Sequence, residues 1–313
     1  MAGGLAGWAL ARATAADRLA IAEAPAAPLL SFTPLAAAGA WLGALLLRGR
    51  NASVTAALAG VALTAAVAPR AVARRQPDAG GQVLRVVTVN LLVGRAAAGS
   101  VVGLVRDTDA DVLFLQELTE EAVTRLKSAG LNSLLPFSAT DLERHNSRGN
   151  GIYARYPLSK DRTITSASGA FFVAWLEFPP GSVQLACVHL RAPSPPWSRH
   201  AVARWRGELI MLPPPSGRPV ILGGDFNSTI DHAQFRQLLQ LGYVDAVSQT
   251  GHGLVPTWGP GAGRRALLTI DHILLDPRCA VLATSVRTLP GSDHRAVCAE
   301  LRLPAAGIGW DSL

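Results

Sequence analysis

Asp225 and Asn227 stand two residues apart at the end of "VILGGDFN", a hydrophobic run that stops on Gly-Gly. Such a run reads as a buried strand reaching a sheet edge. In extended backbone Asp225 and Asn227 point one way while Phe226 points back. A carboxylate and an amide held side by side can bind a metal ion or orient a water. The same residue types also make ordinary turns, so the pair alone leaves both readings open. The pattern recurs along the chain. Asn90 ends "RVVTVN", Glu117 follows "DVLFLQ", His189 closes "LACVH", Asp271 and His272 interrupt "LTIDHILL", and Asp293 and His294 precede the last apolar run, "AVCAELRL". Strand ends and their loops are where ligand sites form, and a polar ending repeated on successive strands points to one.

These types define a chemistry. Glu117, with Asn90 and Asp293, supplies hard oxygen ligands suited to Mg²⁺, with Mn²⁺ as the alternative. The three cysteines, Cys187, Cys279 and Cys298, lack CxxC spacing. Two of them sit inside apolar runs, where buried thiols pack as small hydrophobes. With no closely spaced His pair either, a zinc site of the usual kind is disfavoured. Asp225 and Asn227 can orient and deprotonate a water, and His189 and His294 can contact phosphoryl oxygens or shuttle a proton. Asp271 can fix the tautomer and charge of His294. Together these groups suit phosphoester hydrolysis by in-line displacement. No GxSxG motif and no P-loop is present to suggest other chemistry.

The elements that must position these residues follow from the apolar runs. "VLRVVTVN", "DVLFLQEL", "GNGIYARYPL", "AFFVAWLEF", "SVQLACVHL", "PVILGGDFN", "LTIDHILL", "AVLATSVRTL" and "AVCAELRL" read as strands. "AAAGSVVGLVRDTDA", "TEEAVTRLKSAG", "HAVARWRGELIMLP" and "DHAQFRQLLQLG" read as helices. Strands often adjoin one another, so a mixed sheet or two packed sheets with flanking helices is expected.

The first 79 residues differ in composition. They hold seven arginines and three acids, which account for +4 of the formal +7 and leave residues 80–313 nearly neutral. Charge therefore gives no argument for nucleic-acid binding. Residues 29–47 and 52–68 are free of charged side chains and near the length of a membrane-spanning helix. They read as a membrane hairpin about the "RGRN" turn, with two buried core helices as the alternative. Arg12, Arg18, Arg70, Arg74 and Arg75 on one side, against Arg48 and Arg50 on the other, put both termini in the cytoplasm. Residues 74–82, "RRQPDAGGQ", read as a linker. Beyond it, "RAPSPPWSRHAVARW" sets Trp197 and Trp205 among Arg191, Arg199 and Arg204. That segment is either a headgroup-facing surface, with Arg191 and Trp197 touching substrate, or a helix whose Trp faces the core.

In this order, "TVNLL", "DVLFLQE", "GNGIYARYPL", "VHL", "GGDFN", "IDHIL" and "SDH" resemble the endonuclease/exonuclease/phosphatase superfamily over residues 85–303. The resemblance implies a four-layer α/β sandwich, two mixed β-sheets flanked by helices; with the transmembrane hairpin read from the apolar runs ahead of it, the chain divides into a membrane region, 1–79, and a catalytic domain, 80–313. The resemblance also implies a Mg²⁺-dependent phosphoesterase in which Asn90 and Glu117 take the metal and His189 contacts the phosphate. Asp225 and Asn227 position the water, and Asp271 pairs with His294, the proton-relay base, next to Asp293. With the hairpin, "VNLLVGR" and "LFLQELTEEA" resemble the membrane-bound subgroup associated with teicoplanin resistance. That likeness implies a multi-pass protein whose domain lies outside the membrane, against the arginine count. Its substrate would be a phosphorylated lipid, undecaprenyl pyrophosphate; no protein partner is implied, and a tethered nuclease acting on DNA or RNA is the competing class.

Overall fold

The computed structural model describes residues 1–18, 29–142, 149–165, 171–194, 198–215 and 217–305. Strands β1 (Gly80–Asn90), β2 (Val112–Leu118), β3 (Phe137–Asp141) and β4 (Gly149–Ala154) join β11 (Ala280–Thr288) and β12 (Arg295–Pro304) in one sheet. Its order is β11-β12-β1-β2-β4-β3. Strands β5 (Leu158–Thr165), β6 (Phe171–Phe178), β7 (Gly181–His189), β8 (Val220–Asp225), β9 (Val244–Asp245) and β10 (Asp271–Leu275) form the other. Its order is β5-β6-β7-β8-β10-β9. Each sheet holds one parallel pair, β1 with β2 and β7 with β8, among antiparallel neighbours. Helix α4 (Ala98–Asp107) connects the first pair and α6 (Arg199–Ile210) the second.

The sheets pack face to face. Leu84, Val86, Val112 and Phe114 meet Phe172, Leu185, Ile221 and Ile273 in one core. The outer faces are apolar too, because helices cover them. Val87, Val89 and Leu115 lie under Val101, Val105 and Leu126 from α4 and α5 (Glu120–Ser128). Val173, Val188 and Leu222 lie under Trp205 of α6 and Phe235 of α7 (Ala233–Gln240). Burial on both faces explains why the central strands read as continuous apolar runs. The result is the four-layer sandwich expected. Trp205 is fully buried and donates Nε1–H to the carbonyl of Phe226, so it belongs to the core and not to a headgroup surface.

The first 79 residues depart from the expected hairpin. Helices α1 (Ala2–Ala13), α2 (Thr33–Leu46) and α3 (Arg50–Val67) pack together, with α2 and α3 meeting through Ala36, Ala37, Ala40, Ala59 and Leu63. Among the described residues only the stretch Arg50–Ala71, 22 residues, is long and apolar enough to cross a membrane. The anticipated first span is cut short because a turn at Ser31–Phe32 precedes Pro34 at the start of α2. Proline fits the first helical turn and not the interior. At about 1.5 Å per residue α2 is roughly 21 Å long, less than a bilayer's apolar core.

These helices are fastened to the sandwich. Asp231 is buried between Arg12 Nε at 2.6 Å and Arg70 Nη1 at 2.8 Å. Burial alone would raise the Asp231 carboxyl; the two guanidinium groups outweigh it and hold the group below the usual carboxylate range. Asp17 Oδ2 accepts the Ala233 N–H at 2.7 Å, capping α7. The segment read as a linker is also held, since Arg74 N–H bonds the Gln249 carbonyl and Gln76 Oε1 accepts from Val281. Removing one partner of a buried charge pair typically costs about 3–5 kcal/mol. Arg70→Ala should therefore lower the melting temperature of the full-length protein by several degrees, and an unchanged melt would show that Asp231 does not secure the helices.

Candidate active site

Parallel pairing sets the site. In each sheet two adjacent strands end at the same edge, and an antiparallel neighbour begins there. Registration places His189 beside Asp225 and Asp225 beside Asp271 across β7, β8 and β10. In the other sheet Asn90 ends β1 opposite Gln116, Glu117 follows on β2, and Asp293 and His294 precede β12. A bulge between Gln116 and Leu118 gives Glu117 a φ of 54° and swings it out of the strand alternation. Gly223 lets the sheets close here, as a Cβ would lie 2.4 Å from the Phe114 ring of the facing sheet. The Gly-Gly of "GGDFN" is thus a packing requirement that delivers Asp225 to the seam.

The eight expected residues converge. Asn90 Nδ2 bridges the sheets, donating to Glu117 Oε1 at 3.1 Å and Asp225 Oδ2 at 3.2 Å. Asn227, at φ 46°, donates its backbone N–H to Asp225 Oδ1 at 2.8 Å and its amide to the Leu190 carbonyl at 2.8 Å. Asn tolerates this left-handed conformation better than most residues. His294 Nδ1 lies 3.0 Å from both Asp271 oxygens, and its Nε2 faces Asp225 at 3.8 Å and Asp293 at 3.9 Å. His189 Nε2 lies 3.8 Å from Glu117 and 3.9 Å from Asp225. A cleft of about 470 Å³ opens over these groups, and Arg191 lines it. Trp197 and Arg148 lie outside the described residues. Arg155 pairs with Asp109 and Asp111 and takes no part in lining the cleft.

Several contributors were given no role by the sequence. Trp258 lines the cleft and donates Nε1–H to Asp293 Oδ2 at 3.2 Å. Ser292, the first residue of the "SDH" motif but without a role assigned from sequence, donates to the Asn90 carbonyl and accepts the His294 N–H, tying β1 to the last motif. Thr257 Oγ1 accepts from the backbone of Asp271. His272, which also interrupts its strand, is structural: it is buried between Asp245 and the Ser228 carbonyl.

Electrostatics distributes the protons. Burial pushes the Asp225 carboxyl up, to about 7, against the pull of His294. Burial disfavours a charged His294, but Asp271 and then Asp225 outweigh it and hold the imidazole up at about 10. The protonated imidazolium is therefore the resting form, and Asp225 is the group tuned near neutrality. Asp225 is thereby a second candidate, beside His294, for the group that takes the water's proton.

The donor set fits a divalent cation. Glu117 and Asp293 line the cleft, and Asp293 Oδ1 is buried without a hydrogen bond. Asp225, Asp271 and His294 also have ligand atoms within 4.8 Å of one another. Both Asp271 oxygens are already committed to His294, which leaves Glu117 and Asp293 as the available acids. Asn90 turns its NH₂ toward the carboxylates while its Oδ1 accepts from Leu92 N–H.

A family model described as "Endonuclease/Exonuclease/phosphatase family" matches residues 87–294, more than half of the chain and the stretch that holds every site residue above. Similar solved structures include an endonuclease/exonuclease/phosphatase from Beutenbergia cavernae, at 20% identity and a TM-score of 0.57, covering 72% of each chain. Humanized TDP2 from D. rerio is similar at 18% identity and 0.55, over 70% of this chain and 99% of that one. NExo, a 3'-5' exonuclease from Neisseria meningitidis, is similar at 22% and 0.50, over 70% of this chain and 100% of its own. At these identities the likeness is one of fold. No curated protein matches.

With its carboxyl raised to about 7 from the ordinary 3.8, Asp225 contributes stability that is complete below about pH 4 and lost as pH rises through about 7. Metal-free protein should therefore melt lower at about pH 8 than at about pH 5, and Mg²⁺ should recover more at the higher pH, where protons compete less. Melts with EDTA and with Mg²⁺ at both values check this; equal metal-induced shifts would contradict it.

Proposed function

We propose, from the premise that this chain belongs to the endonuclease/exonuclease/phosphatase family and is a metal-dependent hydrolase of phosphate esters, that it removes the terminal phosphate of undecaprenyl pyrophosphate at a membrane. The observation that carries the lipid substrate is the apolar surface beside the sandwich. Leu35, Leu42, Leu45, Leu46, Leu58 and Val61 are exposed on α2 and α3, with Leu45 at 81%. Several large apolar side chains left exposed on two packed helices suit a membrane or partner site. Residues 1–79 then form the membrane region and 80–313 the catalytic domain, as in the teicoplanin-resistance subgroup that the motifs resemble.

Asp231 offsets one of the two charges on Arg12 and Arg70. The positive-inside rule counts arginines rather than net charge, so five on the domain side against two at the turn still favour a cytoplasmic domain, and an extracytoplasmic domain is supported by the subgroup likeness alone. Leu5 of α1 lies beside Gly43 and Leu47, while Arg12 reaches the sandwich. Met1 therefore sits toward the end of the bundle that carries the turn between α2 and α3.

In the proposed reaction a divalent cation, Mg²⁺ or Mn²⁺, held by Glu117 and Asp293 beside Asn90, would neutralise phosphoryl charge. Asp225 and Asn227 orient the attacking water, and Asp225 accepts its proton. As the water oxygen bonds to phosphorus, the bridging P–O bond breaks and lipid monophosphate leaves. The His294 imidazolium, kept charged by Asp271, and His189 stabilise the phosphoryl oxygens.

Phosphate release by the purified full-length protein tests this reading. Undecaprenyl pyrophosphate in detergent should be turned over with Mg²⁺ and not with EDTA, and Glu117→Ala should be inactive yet folded. His294→Ala should lower turnover by about 10²–10³, the scale of a lost group that stabilises transition-state charge. Cleavage of single- or double-stranded DNA without lipid turnover would replace the lipid reading with a tethered nuclease.

A further inference from the structure

The cleft is lined by basic as well as acidic side chains. Arg191 and Arg204 line it along with His189 and Ser194, as do the acids Glu117 and Asp293. Arg191 stands two residues beyond His189, and the Leu190 carbonyl between them is held by Asn227. A buried carboxylate fixes Arg191 in place. Glu208 Oε2 accepts the Arg191 backbone N–H at 2.8 Å, and Oε1 lies 3.3 Å from its Nε. The Glu208 side chain is only 4% exposed. Burying a carboxylate is expensive, and Arg191 is the partner that offsets the cost. Glu208 and Arg204 are four residues apart on α6, hence on one helix face. One turn of helix therefore supplies one guanidinium to the cleft and immobilises a second.

We propose that Arg191 and Arg204 form a subsite for a second phosphate, the non-scissile group that leaves on the lipid, with Glu208 as the positioning residue for Arg191. The subsite rests on the phosphohydrolase reading above and deepens it by selecting diphosphates over single phosphoesters. Charge on the leaving phosphate grows as the bridging P–O bond breaks, and a guanidinium already locked in place meets that charge without ordering cost. Arginine suits this role because its planar fork can engage two phosphate oxygens at once.

The test compares kcat/KM for farnesyl diphosphate and for bis(p-nitrophenyl) phosphate, using the full-length protein in detergent with Mg²⁺. A lost charge-assisted hydrogen bond corresponds to about 10- to 100-fold. Arg191→Ala should therefore reduce the diphosphate value by about that factor more than the diester value. Glu208→Gln should shift the same ratio in the same direction, and adding it to Arg191→Ala should change the ratio no further, because the two act as one unit. Equal losses on both substrates, in variants that melt like wild type, would overturn the subsite and leave the phosphohydrolase standing. Wild type that cleaves the diester but not farnesyl diphosphate would overturn both the subsite and the lipid-diphosphate substrate, and leave a phosphodiesterase. Wild type that cleaves single-stranded DNA but not farnesyl diphosphate, with Arg191→Ala raising KM for DNA, would reassign the arginines to a neighbouring backbone phosphate and overturn the diphosphate subsite.

Discussion

Four carboxylates, Glu117, Asp225, Asp271 and Asp293, meet at one seam with little solvent to screen them. Left alone, so much negative charge in so little water is untenable. Each neighbouring feature answers it. Asp271 is matched by a protonated His294, Asp225 by that same imidazolium and the amide of Asn90, and Glu117 by Asn90 and the Val93 N–H. Asp293 is only half answered, by Trp258, and its second oxygen is where the unfinished balance shows. A divalent cation completes that balance. Charge compensation thus links the fold, the protonation states and the cofactor in one argument.

The same constraint explains why neither sheet makes a site alone. Water-orienting groups come from β8, the cation-facing acids from β2 and the loop before β12, and the imidazoles from both sheets. Asn90 spans the seam, and Gly223 allows the approach that makes the span possible. Catalytic geometry is therefore set by the sandwich core, whose close packing leaves the strand ends little freedom.

This architecture also decides what was legible in the sequence. The central strands are buried on both faces, so they are uniformly apolar and a terminal Asn, Glu, His or Asp stands out against them. Three of the four edge strands lack that contrast: β3 ("FSATD"), β5 ("LSKDRTIT") and the two-residue β9 are polar or short and were not foreseen, whereas the apolar edge strand β11 was. Trp258 acts through a partner distant in the chain, as does Asp231, whose partners Arg12 and Arg70 lie 219 and 161 residues away. Local patterning holds no record of such pairs. The hairpin was half legible for a related reason. Apolar length was visible, but the start of α2 is governed by the turn that Pro34 terminates.

Asp231 lies four residues beyond Asn227, on the loop that leaves the site. The ion pair that docks the N-terminal helices therefore holds the segment following the water-orienting amide. Its neighbour His232 continues the link, taking the Thr229 N–H at 3.0 Å and packing edge-on against Trp205. A flexible tether would raise the local concentration of a lipid phosphate but leave the cleft free to tumble. A docked bundle adds orientation, because the apolar faces of α2 and α3 and the mouth of the cleft then keep a constant relation. For a substrate whose tail is confined to a bilayer and whose reacting phosphorus stands just outside it, orientation is the scarcer requirement, and a buried ion pair with two arginines on one aspartate is a direct way to meet it.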